Sequence, residues 1–197
     1  MARTPIVAII GRPNVGKSTL FNRLVGSRMA ITASESGTTR DAVIGEVSWG
    51  KYHLTLTDTA GFDSPGDEIA SQALDQLKAT ANDADVVIVV VDATTEPTNQ
   101  DKAAAKLALK TKKPVLLAIN KSDIKGASAS FERLGISQQV RVSAIHGRGS
   151  GDLLDLVCSH IAALAPSDQP PLLKLALLGR PNVGKSSILN ALCGRSA

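Results

Sequence analysis

The chain has 197 residues, 43% hydrophobic, 20% charged and 3% aromatic, with a formal net charge of +4. This is a globular composition with room for one full domain and part of another, and no apolar run approaches the roughly 20 residues that span a bilayer. The mild positive charge permits a nucleic-acid partner, but no block of basic residues stands out, the few aromatics argue against a base-stacking platform, and neither DNA nor a membrane is expected as a partner.

The opening MARTPIVAII lacks a small-residue cleavage site and reads as a buried strand over Ile6–Ile10, not a signal peptide, so cytoplasmic residence is expected. A glycine turn follows, then a helix over Lys17–Val25 with Leu20, Phe21 and Leu24 on one side. Residues 27–40 have no periodicity and read as a long loop. Ala42–Trp49 and Tyr52–Thr57 alternate around Gly50-Lys51, the pattern of a hairpin. After a Gly/Pro/Asp-rich stretch at 61–67, Ile69, Ala73, Leu74 and Leu77 recur at helical spacing. Between Asp85 and Asp92 the run VVIVVV does not alternate, as expected of a parallel strand covered on both faces. A helix near 98–112, a strand over Pro114–Ile119, a helix near 127–134, a short strand at Val140–Val142 and a closing helix marked by Leu153, Val157, Ile161 and Leu164 complete the domain.

This order predicts an α/β fold with a mostly parallel, doubly wound sheet of six strands and one antiparallel edge strand from the hairpin. The first domain is expected over 1–165. Residues 166–171, with Pro166, Pro170 and Pro171, read as a linker, and 172–197 as the truncated start of a second domain of the same type. Cys158 and Cys193 sit in apolar helical patterns and read as buried free thiols, while His53, His146 and His160 are not at metal-ligand spacing.

The octapeptide GRPNVGKS occurs twice, at 11–18 and at 179–186. The first copy lies between a strand and a helix, the setting of a phosphate-binding loop. Its glycines let the backbone bend so that N–H groups of Gly11, Asn14, Val15, Gly16, Lys17, Ser18 and Thr19 converge on phosphate oxygens at a helix N-terminus. Lys17 is placed to bridge the β- and γ-phosphates and Ser18 to ligate Mg²⁺. Asn120-Lys121-Ser122-Asp123 follows a strand, at the carboxyl end where ligands sit in such sheets. A carboxylate at Asp123 can accept two N–H groups that guanine presents and adenine does not. Asn120 can bond the base edge or tie loops together, the stem of Lys121 can cover the ring, and Ser143-Ala144 offers a backbone N–H for the guanine carbonyl oxygen. In Asp58-Thr59-Ala60-Gly61, Asp58 can hold Mg²⁺ through a water and the Gly61 N–H can sense the γ-phosphate. Gly37-Thr38-Thr39-Arg40-Asp41 offers a further hydroxyl to the metal.

Together these motifs resemble the translation-factor-like P-loop GTPases, and more closely the Der (EngA) family of tandem-domain GTPases. The carriers are GRPNVGKSTLFNRLVGSR at 11–28, GTTRD at 37–41, DTAG at 58–61, NKSD at 120–123, VSAIHGRGSGDLLD at 142–155 and the repeat GRPNVGKSSILNALCG at 179–194. The resemblance covers nearly the whole chain; Era and the tRNA-modifying MnmE type share single motifs but not the tandem copy. It implies a Ras-like P-loop G domain, slow hydrolysis of GTP to GDP, and a role in large ribosomal subunit assembly with rRNA and protein as partners. It also favours Thr39 over Thr38 on the metal. Where many GTPases carry a water-orienting glutamine, Phe62 stands here. Related members bind K⁺ beside the phosphates, and Asn14 matches the asparagine that holds it. Lys17, Asn14, Thr39 and Gly61 are thus the expected catalytic set, with residues 27–40 ordered only by the γ-phosphate. In the second copy Gly179, Asn182, Gly184, Lys185, Ser186 and Ser187 would form a second phosphate loop, expected to bind poorly without its partner motifs. Phe62 also leaves open a nucleotide-binding module with negligible hydrolysis; an ATPase is disfavoured by Asp123.

Overall fold

A computed structural model describes residues 3–26, 43–58, 78–124, 126 and 130–164. The chain divides into two compact units, 1–165 and 166–197. The expectations for Gly37–Asp41, Thr59–Phe62, the helix through Leu77, the linker, Cys193 and the second phosphate loop lie outside the described residues.

The strands are β1 (Ile6–Ile10), β2 (Val43–Trp49), β3 (Tyr52–Asp58), β4 (Val86–Asp92), β5 (Val115–Asn120) and β6 (Gln138–Arg141). The helices are α1 (Lys17–Val25), α2 (Asn99–Lys110) and α3 (Ser150–Leu164), and residues 78–83 are also helical. One sheet runs in the order β2-β3-β1-β4-β5-β6, and every pairing is parallel except β2 with β3, which form the expected hairpin. Successive strands lie on one side of β1 and then on the other. The topological switch therefore falls at the carboxyl ends of β1 and β4, where ligands bind in open α/β sheets.

All seven residues of β4 are buried, so its unbroken apolar run is explained by cover on both faces. Val86, Ile88 and Val90 join Val7 and Ile9 in a core closed by Leu20, Leu24, Leu153 and Val157 of α1 and α3. Val87, Val89 and Val91 face the opposite way, onto Ala104, Ala105 and Ala108 of α2. Leu20 and Leu24 are fully buried, each worth roughly 1.5–3 kcal/mol of transfer free energy. Cys158 is a buried free thiol, and burial pushes its ionisation up.

Two expectations change. In place of a helix near 127–134, the described part is a single 3₁₀ turn, Glu132–Leu134. Gly135 ends it in the left-handed region at φ 73°, its N–H bonded to the Glu132 carbonyl. The last strand is Gln138–Arg141, where Val140–Val142 was expected, because pairing with Leu116–Ile119 starts two residues earlier.

Candidate functional site

The loop after β1 opens α1 with Gly16 as N-cap, in the left-handed region at φ 90°, and no side chain caps the helix. No acid stands in its first turn. The amides there are thus presented to a ligand at the positive end of the helix dipole. Gly16 is required twice over. A Cβ there would lie 2.4 Å from Asn120 Nδ2, in a backbone conformation that side chains resist.

The rest of the loop is held by side chains. Lys17 Nζ donates to the Arg12 carbonyl at 2.9 Å. Arg12 donates to Asp101 Oδ2 at 3.2 Å and to Thr95 Oγ1 at 2.9 Å. Asp101 also closes a capping box with Thr98, so the loop is anchored to the N-terminus of α2. Lys121 Nζ reaches back across the sheet, bonding the Asn14 carbonyl at 3.0 Å and Asp92 Oδ2 at 2.6 Å.

Asn120, 2% exposed at the end of β5, connects the two halves of the site. Its Nδ2 donates to the Val15 carbonyl at 2.9 Å and its Oδ1 accepts from the Ala144 N–H at 3.0 Å. Of the two roles open to it in the sequence, tying loops together is the one observed. The Ser143 N–H donates to the Arg148 carbonyl at 2.9 Å, so both amides of the Ser143-Ala144 pair have protein acceptors.

Asp123 lies on the same side, with His146 Nε2 3.4 Å from Oδ2. A hydrogen bond from Ser143 is the main influence that lowers its pKa below the ordinary carboxylate value, helped by the charges of His146 and Arg148 against a smaller opposing effect of desolvation. It is an anionic acceptor near neutral pH. The segment bearing these groups is braced from α1: Arg23 donates to the Ala144 carbonyl at 2.9 Å and to the Ile145 carbonyl.

Asp58 ends β3, 1% exposed and in register with Ile9 of β1 just before the loop, and Ser18 is exposed at the start of α1. A hydroxyl and a carboxylate are hard oxygen donors that suit Mg²⁺. Thr39 and Gly61, the other residues expected there, lie outside the described set.

Residues 6–121 and 174–197 match the family model described as 50S ribosome-binding GTPase. The chain belongs to this family. Curated relatives include GTPase Der of Lactobacillus johnsonii, 41% identical over 193 residues, and of Herpetosiphon aurantiacus, 44% identical over 201; each match covers 96% of this chain and 44% of the relative. The expected place in the Der family is borne out, and the chain spans less than half the length of these relatives. Among solved structures, Aquifex aeolicus Era bound to GDP·AlF₄⁻ superposes with a TM-score of 0.61 at 27% identity, covering 91% of this chain and 63% of Era. Era with MgGDPNP and nucleotides 1506–1542 of 16S ribosomal RNA gives 0.60 at 28%, covering 88% and 60%. The FeoB G domain of T. maritima gives 0.56 at 28%, covering 81% and 99%. The expected α/β P-loop G-domain fold is borne out.

Several residues of this site were not legible in the sequence. Arg12 and Asn14 stood inside the octapeptide, but nothing in it announced Asp101 as the anchor, nor Asp92 as the partner of Lys121. Asp92 had one signal: an acid closing an apolar strand whose neighbour ends in Asn120, its partner in register. Arg23 had none, since its acceptors lie 121 and 122 residues away.

Proposed function

We propose that the chain binds GTP and hydrolyses it slowly to GDP and phosphate as a K⁺-stimulated switch in large ribosomal subunit assembly. The observation that carries this is the Asn120 bridge. It joins the phosphate loop, through Val15, to the segment beside Asp123, through Ala144, so one side chain sets the span between a phosphate cradle and a guanine acceptor. The family description and the Era and FeoB G-domain likenesses support the reading.

In this mechanism Asp123 accepts the ring and exocyclic N–H groups of guanine. The Ala144 N–H is shared between Asn120 and the base carbonyl, and the Lys121 stem, its head held by Asp92, covers the ring. Amides of residues 14–19 surround the phosphates. Lys17 exchanges the Arg12 carbonyl for phosphate oxygens. Ser18 and Thr39, with Asp58 through a water, would hold Mg²⁺, which would supply positive charge to the phosphates. Gly61 meets the γ-phosphate. A water adds to the γ-phosphorus as its bond to the bridging oxygen breaks, and GDP leaves. Asn14, exposed at φ 64° in the loop, would hold K⁺, which would supply positive charge to the transition state. The partners are GTP, GDP and the rRNA and protein of the large subunit.

Replacing Asp123 by Asn tests the base assignment. The carboxamide donates where guanine also donates, and pairs instead with the 2-oxo group of xanthine. GDP affinity should fall by about 100-fold or more while XDP affinity rises. An unchanged preference for GDP over ADP would overturn the reading. Phosphate release measured in KCl, NaCl and choline chloride tests the K⁺ role: the rate should be highest in KCl, and equal rates would remove K⁺ from the mechanism.

A further inference from the structure

The outer face of α2 carries charge that the nucleotide site does not use. Lys102, Lys106 and Lys110 are exposed and four residues apart, which sets an ammonium on one face about every 6 Å along the axis. Lys112 and Lys113 extend the exposed cations beyond the helix. Asp101 is the one acid in α2; it is buried and bound to Arg12 and Thr98, so it compensates nothing outside. Two recesses flank the helix. One, of about 440 Å³, lies between Lys102, Lys106 and Lys110 and the 3₁₀ turn, which contributes Arg133. The other, of about 410 Å³, has Lys78 and Asn82 facing Lys106 and Lys110. Among the described residues neither recess is lined by an Asp or Glu; Asp83 and Glu132 are exposed but outside both linings.

Lysines four apart on a helix repel one another, so a row that meets no acid among the described residues costs stability unless a polyanion meets it. The surroundings narrow the choice of polyanion. Among the described residues no aromatic side chain lines either recess, so none of them stacks on an unpaired base. A regular line of point charges along a ridge with a concavity on each side matches a backbone recognised by shape and charge. We propose that this ridge docks the sugar–phosphate backbone of paired RNA. The choice of RNA rests on the ribosomal part of the function proposed above.

The test uses the whole chain and a labelled RNA hairpin of about 16 base pairs, the span that shape-specific readers of paired RNA cover, with anisotropy measured from 50 to 200 mM KCl. The wild-type affinity should fall steeply with salt. K102A/K106A/K110A should reduce the log–log slope by about 2–3 and weaken binding at least tenfold at 100 mM, because each neutralised phosphate contributes just under one unit. GDP affinity should be unchanged, and Lys51→Ala, in the β2–β3 turn, should alter neither. An unchanged slope and affinity in the triple variant overturns the proposal. So does wild-type binding of poly-glutamate as tight as binding of the hairpin, which would make the surface a site for acidic protein. Purified large ribosomal subunits separate the two readings: a hairpin held through the ridge by a chain that ignores the subunits supports the ridge and sinks the ribosomal role.

Discussion

At the end proposed for the phosphates, eight consecutive residues make nearly the whole loop. Two left-handed positions, Asn14 and Gly16, turn the chain, and the helix N-terminus supplies the amides. At the end proposed for the base no segment suffices alone. Asp123 follows β5, Ser143 and Ala144 follow β6, His146 and Arg148 lie further on, and Arg23 braces them from α1. The first end is local in sequence, its turn set by backbone conformation and its loop pinned by Arg12 and Lys121; the second is an assembly whose parts meet only after the sheet has formed. Asn120 is the contact through which each end fixes the other, so damage to it should be felt at both.

The comparison can be broken at four points. Gly16→Ala should do most harm: the new Cβ meets Asn120 Nδ2 and the residue keeps a strained φ, so GDP affinity should drop by about 100-fold or more, close to 3 kcal/mol. Calorimetry with GDP checks it, and a loss below tenfold would show that the loop adapts. Asn120→Ala leaves a buried carbonyl and a buried N–H without this partner, a cost of about 2–4 kcal/mol, or roughly 5–15 °C in the melting temperature of the nucleotide-free chain. A melt within 2 °C of wild type, in the sense of about 1 kcal/mol or less, would mean the two ends are independent. Arg23→Ala should cost about 1–2 kcal/mol and speed GDP release more than it slows binding, with Arg23→Lys recovering part of it. Stopped-flow with a fluorescent GDP reads both rates; equal changes in the two would make Arg23 a general support of the fold, not a brace of the base end.

The smallest effect is on pH. Burial alone would raise the Asp92 carboxyl, but hydrogen bonds from Lys121 and Thr94 outweigh it and hold the pKa below its ordinary 3.8. The folded value is depressed, so the stabilisation is present above pH 3.8 and is lost as pH falls through the folded value. The stability gap between wild type and Asp92→Asn should therefore be flat from pH 7 to 5 and close below about 4. Urea melts at each pH measure it, and a gap that widens on acidification would refute the assignment of the pair.

Legibility followed how local each feature was. The Lys17–Val25 helix was predicted to the residue because the glycine turn starts it and its apolar spacing sets its length. The β4 strand was readable from six unbroken apolar residues. The region before β6 was not: its helix-like spacing is cut short by Gly135, and a strand of four residues has too few positions to show a period. The lysines of the ridge lie within 102–113 but four apart on the helix, so they do not read as a block of charge, and Lys78 and Arg133 join them only in three dimensions.

From the sequence alone came the glycine loop at 11–18, the Asn120–Asp123 motif, the element order and the duplicated octapeptide, because each is written in neighbouring residues whose backbone angles or hydrogen-bonding groups dictate local shape. The tertiary structure decided which groups those motifs lean on: Asn120 between Val15 and Ala144, Lys121 between Asp92 and Asn14, Arg12 on Asp101, Arg23 under Ala144. Such partners are set by strand order and register, which bring side chains up to 122 residues apart within bonding distance. No local preference of the chain encodes that distance.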